Sequence, residues 1–102
     1  MNYNNLHDEI NAKYSNSPSR KKLAEKCLEK AKEWLDNFSE ENDISNLTNV
    51  DIKKMKRECT AYVKKNVDTD EERKIYGSVL LMIVMGAVVS WLVQRLLDEI
   101  FD

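Results

Sequence analysis

This chain of 102 residues carries 16 Lys and Arg, 18 Asp and Glu and a net charge of −2, so it is one small domain at most, with a modest core. A net charge near zero argues against a protein that coats nucleic acid, because such a protein needs a basic surface. One proline and two glycines leave few tight turns, and we therefore predict an all-α fold.

The first predicted helix covers about residues 3–14, where Tyr3, Leu6, Ile10 and Tyr14 recur at helical spacing. The opening MNYNNLHDEI is polar, so we expect no secretory signal peptide. The following SNSPS is typical of a turn.

The second predicted helix covers residues 18–38. Ser17 supplies a capping hydroxyl, and Pro18 suits the first helical position. A single apolar stripe with helical spacing follows. Its members are Leu23, Ala24, Cys27, Leu28, Ala31, Trp34, Leu35 and Phe38.

The third predicted helix covers about residues 49–66, after a capping box formed by Thr48 and Asp51. Its apolar face consists of Ile52, Met55, Cys59, Tyr62 and Val63. The other positions are distinctly basic: Lys53, Lys54, Lys56, Arg57, Lys64 and Lys65. These six residues form either a solvated face or a surface for anionic phospholipid, while a nucleic-acid backbone is a weaker alternative.

The last predicted helix begins at a second capping box, Thr69 with Glu72, and runs unbroken to Ile100. We therefore divide the chain into a soluble, charged helical region, 1–68, and a long C-terminal helix, 69–102. The three short amphipathic helices of the first part are expected to form a small bundle.

Within the last helix, the span 75–93 contains SVLLMIVMGAVVSWLV and no charged residue. Nineteen helical residues extend roughly 28 Å, close to the hydrocarbon thickness of a bilayer. Charged and aromatic residues typical of membrane interfaces flank the span: Arg73, Lys74, Tyr76, Trp91 and Arg95. A transmembrane helix with the lysine-rich N-terminal region in the cytoplasm is the first interpretation.

The alternative is a helix buried inside a protein assembly, since a helix that is apolar all round also suits the centre of a bundle. A row of mostly small residues supports close packing against another helix in either environment. It comprises Ser78, Met82, Gly86, Ala87 and Ser90. These residues predict self-association.

No catalytic constellation is present. His7, Asp8 and Glu9 are consecutive, so on a helix they point in different directions and do not form a metal site. Cys27 and Cys59 lie on apolar faces and are interpreted as reduced core thiols, with a disulfide as the alternative. We predict no enzymatic activity, no cofactor and no metal.

These patterns predict a non-enzymatic, single-span membrane protein that acts in anchoring or assembly and self-associates, with lipid or other protein subunits as partners. One alternative is a structural subunit of a large particle, such as a virion or phage, that buries the apolar helix against other subunits. Another is a holin-like or toxin-like protein that disrupts membranes.

Overall fold

The computed structural model describes the backbone of residues 3–101 and the side chains of residues 5–100. Over that range the fold is all-α, without strands, as predicted. The five helices are α1 (Tyr3–Lys13), α2 (Pro18–Glu41), α3 (Asn49–Val67), α4 (Asp70–Tyr76) and α5 (Ser78–Phe101). One turn of 3-10 helix, Ile44–Asn46, lies between α2 and α3.

Local signals in the sequence place the starts of α2 and α3. The hydroxyl oxygen of Ser17 accepts a hydrogen bond from the Arg20 amide at 3.4 Å, and Pro18 occupies the first turn. Both bonds of the predicted capping box are present at α3. The Thr48 hydroxyl accepts from the Asp51 amide at 3.2 Å, and the Asp51 carboxylate accepts from the Thr48 amide at 3.0 Å. These predictions are confirmed.

The core lies where α2, α3 and α5 pack against one another, with α1 packed on α2. From α1, Leu6 and Ile10 are buried and Tyr14 is half-buried, while the side chain of Tyr3 lies outside the described residues. Eight of the 20 buried apolar residues in the described part of the chain belong to α5. The apolar helix is therefore a main contributor to the core rather than an appendage to it.

The predicted unbroken helix from Thr69 to Ile100 is wrong at Gly77. This residue has φ 81° and ψ 152°, a backbone conformation that is almost exclusive to glycine. It ends α4 after Tyr76, and α5 begins at the next residue. The domain division at residue 69 therefore places two helices, not one, in the C-terminal part.

The capping box predicted at Thr69 is only half formed. The Thr69 hydroxyl accepts from the Glu72 amide at 3.3 Å, as expected. The Glu72 carboxylate instead accepts from the Lys26 ammonium of α2 at 2.5 Å, and this hydrogen bond raises the pKa of Lys26. Glu72 therefore joins α4 to α2 instead of capping its own helix.

The two glycines should respond to alanine in opposite directions. We expect Gly77→Ala to lower the free energy of unfolding by about 1–3 kcal/mol, because alanine tolerates that backbone conformation poorly. The matched change Gly86→Ala should raise it by about 0.5–1 kcal/mol, since Gly86 is in mid-helix and an added Cβ meets no atom within 4 Å. Urea unfolding at low protein concentration measures the change in the free energy of unfolding for each variant. If Gly77→Ala stabilised the protein, this would contradict the helix break at Gly77.

Candidate self-association surface on the last helix

Helix α5 has a buried face and an exposed face, although both are apolar. The buried face packs against the other helices and comprises Leu81, Val84, Met85, Val88, Val89, Leu92, Val93 and Leu96. On the opposite side, Val79, Met82 and Ile83 are 73 %, 61 % and 61 % exposed, and Ile75 at the end of α4 is 62 % exposed. Such exposure of large apolar side chains within one short stretch is unusual for a soluble monomer.

The small residues predicted to pack against a partner helix lie on this same exposed side. Ser78 and Ser90 are exposed, and Gly86 and Ala87 are half-buried. A Cβ on Gly86 would meet no atom within 4 Å, so the glycine is not required by packing inside one chain. We call the exposed side the outer face, and define it as Ile75, Ser78, Val79, Met82, Ile83, Gly86, Ala87 and Ser90.

Sequence reasoning found the small half of the outer face and missed the large half. In the sequence, Ile75, Val79 and Ile83 are indistinguishable from the rest of a uniformly apolar span. The spacing of Val79, Ile83 and Gly86, four and then three residues, places them beside the small residues on a helix. That spacing could have grouped them with the small residues, but it could not show that this side of the helix is exposed.

A shallow, mostly apolar depression continues the outer face at the start of α5. Its volume is about 480 Å³, and its walls include Arg20, Tyr76, Leu80 and Ile83 around the break at Gly77. The break therefore creates a concave region next to an apolar ridge. This combination of shapes favours docking of another apolar surface.

Among the described residues, only α5 is long and apolar enough to cross a membrane, over Ser78–Ile100. Of its most apolar 18-residue window, 44 % is buried inside the bundle. The helix therefore meets the length and composition of a membrane span while using nearly half of that window for the core.

Most of the predicted membrane-interface residues contact other parts of the same chain. Arg73 makes two hydrogen bonds to the Asp68 carboxylate, at 2.6 and 3.2 Å, and the first of these lowers the pKa of Asp68. The Lys13 ammonium lies 4.6 Å from the ring centroid of Trp91, in cation–π geometry. Arg95 forms an ion pair with Glu9 of α1. Tyr76 packs against the core, and Lys74 is exposed.

The basic residues of α3 are all exposed, as the pattern predicted: Lys53, Lys54, Lys56, Arg57, Lys64 and Lys65. In the described part of the chain, no ion pair involves any of them. By contrast, Lys26, Lys30, Arg73 and Arg95 are all paired with carboxylates. The α3 surface is therefore a separate basic region whose cations form no ion pair within the described residues.

A half-open groove of about 410 Å³ lies between the end of α2 and the start of α3. Trp34 and Phe38 stack along it, with ring centroids 5.1 Å apart. Two of its carboxylates, those of Asp43 and Asp51, already accept hydrogen bonds that cap the adjoining helices. These carboxylates therefore have a structural role in the connection between α2 and α3.

The remaining candidates for chemistry have structural partners. His7 Nδ1 lies 2.6 Å from a carboxylate oxygen of Glu25, which links α1 to α2. Within residues 5–100, no group of His, Cys, Asp and Glu has the arrangement of a metal site. Cys27 and Cys59 are buried free thiols, and the Cys59 thiol donates to the Ala31 carbonyl at 3.9 Å. Burial raises the pKa of both thiols to about 12.

The two thiols should therefore be nearly inert in the native protein. We expect Cys27 and Cys59 to react with a water-soluble thiol reagent at pH 8 on the order of 100-fold more slowly than in concentrated urea. Loss of the thiol proton and contact with the reagent both require opening of the core. An Ala61→Cys variant, which adds a thiol on the exposed side of α3, is the control and should be labelled quickly. Rapid native labelling of the two original thiols would show that the packed faces are not a core.

Comparisons with known protein families, curated proteins and solved structures give no match for this chain.

Proposed function

We propose that this protein is a non-enzymatic assembly subunit, whose helical bundle associates with a second copy of itself through the outer face of α5. The observation that carries the proposal is the cluster of four large apolar side chains, 61–73 % exposed, on that face. Covering these side chains would remove apolar area from water, and each Å² removed contributes about 25 cal/mol of favourable free energy. In the part of the chain that the structure describes, no group of His, Cys, Asp and Glu has the arrangement of a metal site that would favour a catalytic role instead.

A second copy is the favoured partner because the outer face is complementary to itself. It contains no charged residue, so two such faces meet without repulsion in a two-fold symmetric contact. From Val79 to Ser90 it follows α5 for roughly 16 Å. Gly86 and Ser90 lack bulky side chains and allow two helices to approach closely there.

An interface centred on the outer face would also cover the surface around it. A stable contact buries about 800 Å² of each partner, roughly an eighth of the 6440 Å² surface of this protein. The apolar ridge would supply the dry centre. The depression near Tyr76 and the exposed ends of neighbouring helices would supply the rim.

Oligomer size in detergent-free buffer tests the proposal. We expect the wild type to be a dimer or larger, and Gly86→Ile to weaken association at least about tenfold, because the added side chain separates the paired helices. The monomer should keep its fold, since that Cβ meets open space and isoleucine favours a helix more than glycine does.

The control is Ala61→Ile, which enlarges an exposed helical residue on α3, away from the outer face. Sedimentation or light scattering over a range of concentrations gives the dissociation constants, and circular dichroism confirms the fold of each variant. A soluble wild type that stays monomeric, or equal weakening by Ala61→Ile, would contradict the proposal.

A membrane anchor is the second candidate, and the length and apolarity of α5 favour it. Insertion would require α5 to leave the bundle, which would expose the apolar stripes of α2 and α3 to water. A protein that leaves the membrane pellet only with detergent would support the anchor. A virion subunit and a membrane-disrupting toxin remain predictions from the sequence.

A further inference from the structure

The outer side of α3 presents one continuous row of cations. Lys53, Arg57 and Lys64 follow one another at spacings of four and seven residues, so their side chains lie along one line of the helix. Lys54 and Lys65 flank this line, and all five are exposed. On the opposite side of the helix, Met55, Cys59, Val63 and Val67 are buried in the core. The row is therefore held in a fixed orientation by a rigid element.

Charge in this protein is strongly segregated. α3 contains six basic and two acidic residues, so the rest of the chain carries a net charge of −6 although the whole carries −2. One of the two acids, Asp51, is engaged in the capping box. Among the described residues, no ion pair engages the row, although the charge of Lys54 acts on the nearby Asp51 carboxylate. The charge of Lys64 likewise acts on the Asp68 carboxylate. Because the basic residues of α3 outnumber its acids, a negative surface outside this chain would complement the row.

Thr60, Tyr62 and Asn66, three of the uncharged polar side chains of α3, are already engaged. The Thr60 hydroxyl donates to the Lys56 carbonyl at 2.6 Å, and the Asn66 amide donates to the Tyr62 carbonyl at 2.8 Å. The Tyr62 hydroxyl donates to the Glu33 carboxylate at 3.0 Å. Apart from the exposed Asn49 in the first turn, the surface consequently offers point charges rather than amides or aromatic rings with which to read bases.

We infer that the outer side of α3 binds the headgroups of an anionic phospholipid surface. A planar bilayer meets one side of the molecule, whereas a flexible single-stranded nucleic acid would also meet the acidic remainder of the chain. The shortest dimension of the protein is 20 Å, about twice the screening length at physiological salt. Acidic groups on the far side therefore oppose a flat surface only weakly. This binding is peripheral and does not depend on the outer face of α5.

Vesicle flotation of the full-length protein tests the inference. Wild type should bind vesicles that contain about one third phosphatidylglycerol, should not bind neutral phosphatidylcholine vesicles, and should dissociate when salt rises from about 0.05 to 0.5 M. The triple change Lys53→Gln, Arg57→Gln and Lys64→Gln should reduce partitioning by on the order of 100-fold, since each basic residue near the surface contributes a severalfold factor.

The matched control removes the same number of charges elsewhere: Lys21→Gln, Lys22→Gln and Lys74→Gln, all at exposed positions. It should retain partitioning within a few-fold of wild type, and circular dichroism should show both triple variants folded. Equal loss in the two triples, binding to neutral vesicles, or no binding to the anionic vesicles would overturn the inference. Tighter binding of the protein to a short DNA duplex than to the anionic vesicles would also overturn the inference. Oligomer size, measured on the same samples, reports separately on the outer face of α5.

Discussion

We expect Val84→Asp to unfold the protein, whereas Val79→Asp leaves the bundle folded. The two residues are valines five positions apart on α5, but Val84 is 1 % exposed and Val79 is 73 % exposed. An unpaired carboxylate at Val84 would lie in the apolar core beside α2 and α3, at a cost of several kcal/mol. The whole free energy of unfolding of a domain of this size is about 5–15 kcal/mol.

Urea unfolding followed by circular dichroism, in buffer without detergent, measures the difference. Val79→Asp should retain cooperative unfolding close to that of the wild-type monomer, and it should also weaken self-association by placing charge on the outer face. If lipid surrounded α5, we would expect the two substitutions to have similar effects, because aspartate at either position would oppose insertion to a similar extent. Equal effects of the two changes would therefore argue for the membrane anchor.

Removal of α5 is expected to abolish folding of the remaining helices. A chain that ends at residue 77 loses eight of the 20 buried apolar residues found in the described structure. The stripes of α2 and α3, which include Leu28 and Val63, would then face water on one side. We expect weak helical signal without a cooperative unfolding transition, because short isolated helices are marginal in water.

The control is a chain that ends at residue 98, which retains every buried position of α5 through Leu96. It should fold, with a loss of stability of about 1–2 kcal/mol, because the removed Ile100 is only partly buried against the core. Cooperative unfolding of residues 1–77 alone would show that the division at residue 69 separates an independent bundle from an appended helix. That outcome would restore the membrane anchor as the leading proposal.

Much of the local structure of this protein follows from short stretches of sequence. Two helix starts follow from short motifs, Ser17 with Pro18 and Thr48 with Asp51. In each, the capping hydroxyl accepts a hydrogen bond from an amide three residues later, so the signal is local. The stripe in α2 identified its buried face, since charged residues occupy the other positions. The row from Ser78 to Ser90 lies on the side of α5 that faces away from the core, and its packing against a partner helix stays a prediction.

Only the tertiary structure decided what happens at Gly77, Glu72 and the two sides of α5. Gly77 ends a helix while Gly86 continues one, and the sequence offers the same residue in both places. Glu72 satisfies every local rule for a capping box, yet Lys26, 46 residues away, takes its carboxylate. Val79 and Val84 are identical in hydropathy, so periodicity could not assign one to solvent and the other to the core. Their difference arises from packing of α5 against α2 and α3, which depends on contacts between distant parts of the chain.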